Sequence, residues 1–514
     1  MFSKVKSCAV HGVDGRMIAV EADVKDGLPM FTMVGYLSSS VREAAERVRT
    51  ALKNSGYFLP PKRITINLSP ADMRKEGSGF DLPIAMAVLL SMGIPVDADM
   101  EDLLVLGELS LDGSVKPVPG VLSMVICAHD AGLRTCIVPK ENEKEAALVR
   151  GMKIIGVSDL NEAIDFVLGN LDITPVCPLE EGSDDTTDIY DYDFSDVKGQ
   201  ESLKRGLEIA AAGFHNVLLT GVAGAGKSML VKRLPTIMPY MTFEEKLSVT
   251  KIYSVGGILP DTGSIIQRRP FRAPHHTITD RALLGGGRFA MPGEVSFAHH
   301  GVLFLDELPE FQKSVLEVLR QPLEEHEVRI SRVHASYVFP ADFMLVAAMN
   351  PCPCGHYPDR RKCNCSLQQI KRYQSKISGP LLDRIDIRME VHPVKQEELF
   401  GDFTGERSSV IRARVEQARE IQRKRYDGEA ILFNSQLEGK NIERYIKLSA
   451  REEQMLMDEV YKQELSVRGM HRVLKLARTI ADLDGSEKIR MIHLQEAFFY
   501  RNESVFAKEV SYGA

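Results

Sequence analysis

The sequence predicts an α/β protein in three parts: an α+β domain, a parallel-sheet core and a helical C-terminal region. Three observations predict it. A glycine-rich loop, GVAGAGKS (221–228), follows a strand-length apolar run and leads into an apolar-periodic segment. Two more apolar runs, GVLFLD (301–306) and FMLVAAMN (343–350), have the length of parallel strands buried on both faces. After Val394 the spacing of apolar residues turns helical.

Residues 1–170 mix short strands and helices. IAVEADV (18–24) and RITINLS (63–69) alternate as strands do, whereas Ser40 to Gly56 and Asp81 to Met92 have helical spacing. Residues 171–192 are acidic and lack apolar periodicity, which reads as a linker. The nucleotide-binding core then spans 193–395 and the helical region 396–514. Within the latter, a helix begins at Ser466 as N-cap, with Val467, Met470, Leu474, Ala477 and Ala481 predicted on its buried face.

A net charge of −7 over 514 residues gives no global basic footprint, so a nucleic-acid partner requires a local basic surface. The N-terminal MFSKVKSCAVHGVDG lacks the apolar core of a signal peptide. The most apolar stretch, Phe80 to Val96, is interrupted by Asp81 and Pro83 and falls short of the ~20 residues of a bilayer span. The expected address is the cytoplasm.

The loop sets the chemistry. Backbone N–H groups of Gly221, Val222, Ala223, Gly224, Ala225 and Gly226 can wrap the phosphates of ATP. Lys227 reaches the β and γ oxygens, and Ser228 can ligate Mg²⁺. Asp306, at the end of an apolar strand, suits the Mg²⁺ shell, and Glu307 can polarise the attacking water.

With these residues in place the core resembles AAA+ ATPases. DFSDVKGQ (193–200) is similar to the segment that opens such modules and packs near the adenine. The resemblance implies that Asn350 is sensor 1, which positions the lytic water. It implies that Arg384, in GPLLDRIDI (379–387), acts in the neighbouring subunit's site; surface pairing with Asp383 and Asp386 is the alternative. Ser466-Val-Arg468 resembles sensor 2 on the helical lid, in cis or in trans, although Arg472 lies one turn along the same face. A trans arginine implies a ring, a homo-hexamer, because its charge reaches the transition state only on assembly.

Within AAA+ the resemblance is to the magnesium-chelatase-like branch, carried by FRAPHHTITDRALLGGG (271–287) and PGEVSFAHHGVLFLDELPEF (292–311). It implies an insertion in helix 2 and a hairpin over 325–340, with alternation around Arg329, Ser331 and Val333. Arg329 and Arg332 fall on opposite faces of that hairpin and are the candidate DNA contacts. His275, His276, His299 and His300 admit a metal reading, but paired histidines give no helical ligand face, and loop or backbone contacts account for them.

Four of the eight cysteines, Cys352, Cys354, Cys363 and Cys365, sit within fourteen residues just after Asn350, as an insertion over 351–366. Four thiolates on one short loop satisfy tetrahedral Zn²⁺ and leave no open position, so a structural site is expected. A redox pair or an iron–sulfur cluster is the alternative. Arg360, Arg361, Lys362, Lys371, Arg372 and Lys376 make this the most basic local stretch, either a solvated loop or a polyanion contact.

RKEGSGFDLPIAMAVLL (74–90) and residues 106–146 resemble the proteolytic domain of Lon proteases. The family's nucleophilic serine falls on Gly79 and its lysine on Met124, so the domain is identified as degenerate. Ser78 is adjacent, but the missing lysine removes its activating base. The three parts together, over about residues 1–505, resemble the ComM/YifB family of magnesium-chelatase-like proteins. That implies a hexameric DNA helicase driving branch migration in recombination and natural transformation, and not a protease. A chelatase-type or protein-remodelling ATPase is the alternative; the Asp-x-Ser-x-Ser motif borne by the partner of chelatase motors does not occur in this sequence.

Overall fold

A computed structural model of the chain describes residues 1–176, 190–260, 265–287, 290–332, 335–393 and 405–501. Most of the predicted linker (177–189) and the boundary at 395/396 lie outside the described residues, as does Val333.

The N-terminal domain is built on a seven-stranded mixed sheet. Its order is Met30–Val34, Arg63–Ser69, Asp14–Lys25, Phe2–His11, Leu103–Val105, Thr135–Pro139, Lys153–Val157. The long first hairpin pairs Phe2 with Asp23 through His11 with Asp14, and the last three strands run parallel. The predicted strand 63–69 forms over those residues, and 18–24 lies inside Asp14–Lys25. The helix Ser39–Asn54 is amphipathic and buries Val41, Ala44, Val48, Ala51 and Leu52. The helix Asp81–Ser91 is apolar all round because it is sandwiched, with ten of its eleven residues buried. Asp81 is tolerated there because Arg47 clamps it with two bonds of 2.8 and 2.9 Å.

The core is a five-stranded, all-parallel sheet ordered Phe271–Arg272, Val302–Leu305, Met344–Met349, Val217–Gly221, Ile387–Val391. Every residue of the three central strands is buried, which explains their unbroken apolar runs. All five strands end on the same edge, where the glycine loop, Asp306 and Asn350 emerge. A short helix pair (Asp280–Leu284, Glu294–Phe297) lies between the edge strand Phe271–Arg272 and the strand Val302–Leu305.

The C-terminal region is helical, led by Ser408–Arg425, Ala450–Lys462, Val467–Leu483 and Met491–Phe499. Ser466 caps the third of these, accepting from the Gly469 N–H at 3.1 Å. One expectation fails here. Val467 is exposed, since as first helical residue it points away from the apolar stripe, which begins with Met470, Val473 and Leu474. The lid is tied to the core opening by Asp193, whose carboxylate accepts from the Ser408 N–H. No helix among the described residues is long and apolar enough to cross a membrane.

The N-terminal domain docks on the core helix Phe243–Val255. Buried Glu145 accepts from the Ser254 hydroxyl, the Gly120 N–H donates to the Ser254 carbonyl at 3.1 Å, and Lys251 pairs with Asp14 at 2.8 Å. Burial raises the pKa of Glu145, while its hydrogen bonds from Ser254, Leu122 and Asn142 oppose the shift.

Candidate nucleotide site and its flanking centres

The glycine loop has the backbone its sequence requires. Gly224 and Gly226 lie at φ +78° and +86°, and a Cβ at Gly221 would stand 2.4 Å from the Val391 carbonyl oxygen. Lys227 is 7 % exposed and folds back over the loop. It donates to the carbonyls of Gly221 (2.6 Å) and Val222 (3.0 Å) and to Asn350 Oδ1 (3.1 Å). These acceptors stand in for phosphate oxygens, and they join the predicted lysine and sensor 1 directly. Burial lowers the Lys227 pKa, opposed by the charges of Asp306 and Glu307.

Ser228 Oγ donates to Asp306 Oδ2 at 2.6 Å. A hydroxyl and a carboxylate oxygen in contact, beside a phosphate cradle, fit the shell of Mg²⁺, which these two residues would hold. The ion would supply charge neutralisation on the phosphates. Glu307 follows with φ +53°, an uncommon conformation for glutamate, and its N–H donates to Asp306 Oδ1 at 2.9 Å. The side chain is 56 % exposed, and His276 Nδ1 lies 3.7 Å from Glu307 Oε2. Sequence reasoning missed this pairing. His276 is in turn wedged between the His275 ring (4.1 Å) and Phe311 (6.4 Å).

His299 and His300 are structural. His299 bonds Ser248 Oγ at 3.1 Å and accepts from the Asp342 N–H at 3.1 Å. Burial pushes its pKa down to about 3, with the neighbouring His300 adding to the shift. Gln200, in the opening segment, donates to the Ala225 carbonyl at 3.1 Å and so reaches the glycine loop.

The predicted arginines sit elsewhere. Arg384 and Arg468 line one cavity of about 400 Å³ together with Arg472, Lys475 and Glu324. Its walls include Asn216, Phe343 and Asp386, the residues just before three parallel strands. The glycine loop lies past the other end of the sheet, about 16 Å away along a five-residue strand. Arg384 does not take the alternative surface pairing with Asp383 or Asp386. It is 7 % exposed on its side chain, pairs with Glu324, and donates through Nη1 to the Pro380 carbonyl. Burial lowers its pKa, and Arg320, Arg468 and Arg472 add to the effect. Asp386 instead receives Arg472 Nη1 at 2.5 Å and lies 3.4 Å from His215. Arg468 is exposed at the cavity mouth.

The four clustered cysteines converge. Their sulfur atoms all lie within 4.8 Å of one another, with Cys352 at 3.3 Å from Cys354 and 3.8 Å from Cys363. A tetrahedral zinc with bonds of ~2.3 Å requires sulfur pairs about 3.8 Å apart, so the donor set fits Zn²⁺. The Tyr357 N–H donates to Cys352 at 3.4 Å, and the His356 N–H is the main cause that holds Cys354 down at about 6. The loop also touches the nucleotide site: the Gly355 carbonyl accepts from the Ala223 N–H at 3.4 Å. Within the basic stretch, Arg360 donates to the Cys365 carbonyl and stacks on Tyr357, and Lys376 lies 3.6 Å from Glu310.

The hairpin Glu327–Ser331/Ser336–Pro340 is present, with Val328 opposite Phe339 and Arg329 opposite Val338. Arg329 is exposed and pairs with Glu327 at 2.5 Å and Glu325 at 3.9 Å. Arg332, three residues on, falls on the opposite face, the one shared by Val328 and Ile330.

In the Lon-like region, Met124 is 5 % exposed inside an apolar cluster with Val121, Leu122 and Val125. Ser78 donates its hydroxyl to Glu108, a partner that sequence reasoning did not foresee.

The chain is similar to known proteins along most of its length. The family model described as magnesium chelatase, subunit ChlI, matches residues 193–399, and two further ChlI models match 20–142 and 405–501. The chain is 41 % identical over 504 residues to protein YifB of Escherichia coli, covering 97 % of each. It is 42 % identical over 500 residues to competence protein ComM of Haemophilus influenzae, again covering 97 % of each. A shorter match of 168 residues, at 30 % identity, reaches Lon protease of Chloroflexus aurantiacus and covers 30 % of this chain and 20 % of that protein.

Proposed function

The chain belongs to the family of magnesium-chelatase-like AAA+ proteins that contains YifB and ComM, and from that premise we propose that it is a ring-forming, ATP-driven DNA motor that migrates branched recombination intermediates. The observation that carries the ring is the separation of its two halves of chemistry. Lys227, Ser228, Asp306, Glu307 and Asn350 stand at one edge of the sheet, and Arg384 with Arg468 at the other. A γ-phosphate in the chain's own loop is out of reach of both arginines. A neighbouring subunit's cavity supplies them in trans, so hydrolysis waits on assembly, and six copies close the ring.

In each site Lys227 exchanges its carbonyl partners for phosphate oxygens, and Ser228 with Asp306 holds the metal. Glu307 accepts a proton from the attacking water while Asn350 fixes that water's position. The neighbour's Arg384 then offsets charge on the transferring phosphoryl group. The DNA assignment rests on the relative named a competence protein and on the arginine-bearing hairpin. The N-terminal domain serves as a non-proteolytic attachment, its lysine position being filled by buried Met124.

The test is ATP turnover with single-stranded, duplex, forked and four-way DNA, with an unfolded protein, and with neither. The expected result is stimulation by forked, four-way or single-stranded DNA. Stimulation by unfolded protein alone would favour a remodelling ATPase, and indifference to all of them a chelatase-type motor.

A further inference from the structure

The inner face of the hairpin packs on the N-terminal domain. Ile330 and Tyr337, opposite each other across the two strands, join Phe339, Ile252 and Val13 in one apolar cluster. The Tyr337 ring stacks on His11, with centroids 4.6 Å apart and planes 27° apart. Gly12, at φ +68°, lets the turn of the first hairpin come so close that a Cβ would stand 2.8 Å from the Val338 carbonyl oxygen.

Beside this contact runs an open groove of about 450 Å³. The N-terminal domain lines it with His11, Arg16, Met17, Asp72 and Arg74, and the hairpin with Tyr337. Arg332 lies on this same hairpin face, and it and Arg74 both act electrostatically on the Tyr337 hydroxyl. The guanidiniums of Arg16 and Arg74 line the groove, opposed by Asp72 and by Glu76, the latter 3.3 Å from Arg74. Burial, with Arg16 beside it, lowers the His11 pKa, which favours the neutral form of the ring that Tyr337 stacks on.

Cations along a groove with aromatic and thioether surfaces between them match the chemistry of a single strand: phosphates to guanidiniums, unpaired bases to ring faces. A duplex keeps its bases stacked on one another and offers nothing to the Tyr337 ring face opposite the one that His11 covers. We propose that this groove, shared between the N-terminal domain and the hairpin, holds one unpaired strand of the DNA substrate. Arg16 and Arg74 contact its phosphates and Tyr337 stacks on a base. The inference rests on the DNA-motor reading and gives the degenerate domain a function of its own, as half of the surface that holds the strand.

The experiment measures binding of a labelled oligo(dT) by the full chain across a series of KCl concentrations. Arg16→Ala with Arg74→Ala should weaken binding at least tenfold at moderate salt. It should also lower the slope of log K against log salt by about 1.4, two contacts at ~0.7 each. Arg16→Lys with Arg74→Lys should restore the slope, which a merely structural role would not require. Tyr337→Leu should weaken binding about tenfold with the slope unchanged. An alanine pair that binds with the wild-type affinity and slope would overturn the groove while leaving the DNA-motor reading intact. A wild-type chain that binds no DNA would overturn both.

Discussion

Arg384 is held by Glu324, and releasing it should speed ATP turnover before any DNA is present. The guanidinium is 7 % exposed, but the Glu324 carboxylate is 54 % exposed, so water screens much of the pair. An ion pair with one partner in solvent stabilises by at most about 1 kcal/mol. Removing that charge in Glu324→Gln shifts the balance between the held and the extended arginine by about fivefold at most. The crowding of Arg320, Arg468 and Arg472 around the same group favours release in the same direction. If Arg384 acts in the neighbour's site, DNA-free turnover per assembled ring should rise by a factor of two to five or so. Its dependence on DNA should shrink accordingly. Glu324 also lies two residues before the turn at His326 that leads into the hairpin, so hairpin and arginine are linked through a single short helix. The assay is steady-state phosphate release with ring formation checked by light scattering. A turnover that falls, or does not change, would refute the argument and make Glu324 a residue that positions the arginine.

Two further outcomes follow from the same geometry. Purified protein should carry about one zinc per chain, and Cys352→Ser with Cys365→Ser should release it. Because the cysteine loop bonds the Ala223 N–H, this variant should also bind nucleotide several-fold more weakly; metal-free wild-type protein, or iron with visible absorption, would contradict the site. His299, neutral when folded with a pKa of about 3 and near 6.5 when unfolded, adds stability above pH 6.5 that is lost as pH falls towards 3. One such group gives up to ~1.4 kcal/mol per pH unit, so melting temperature should drop between pH 7 and 5.5 and drop less in His299→Gln; parallel curves would exclude it as the cause.

What the sequence made legible was local. Strand runs such as 302–305 and 344–349 are unbroken because parallel strands are covered on both faces, and the glycine loop and cysteine cluster are contiguous patterns. Pairings across long stretches of chain were not legible. Glu324 and Arg384 are 60 residues apart, Ser78 and Glu108 are 30 apart, and His276 reaches Glu307 only because two loops meet at one sheet edge. Periodicity states which face a residue takes, not which partner waits there. It also fails at element ends, where Val467 keeps the spacing of a buried position but precedes the surface that would cover it.

The most direct measurement follows a four-way DNA junction with mobile arms, incubated with the full chain and ATP at low salt. The account predicts that wild-type protein converts the junction to its migrated products while hydrolysing ATP. Glu307→Gln, which retains the loop and Lys227, should bind the junction and leave it unmoved. Wild-type protein that hydrolyses ATP and binds the junction, yet leaves the branch point where it was, would contradict the central claim.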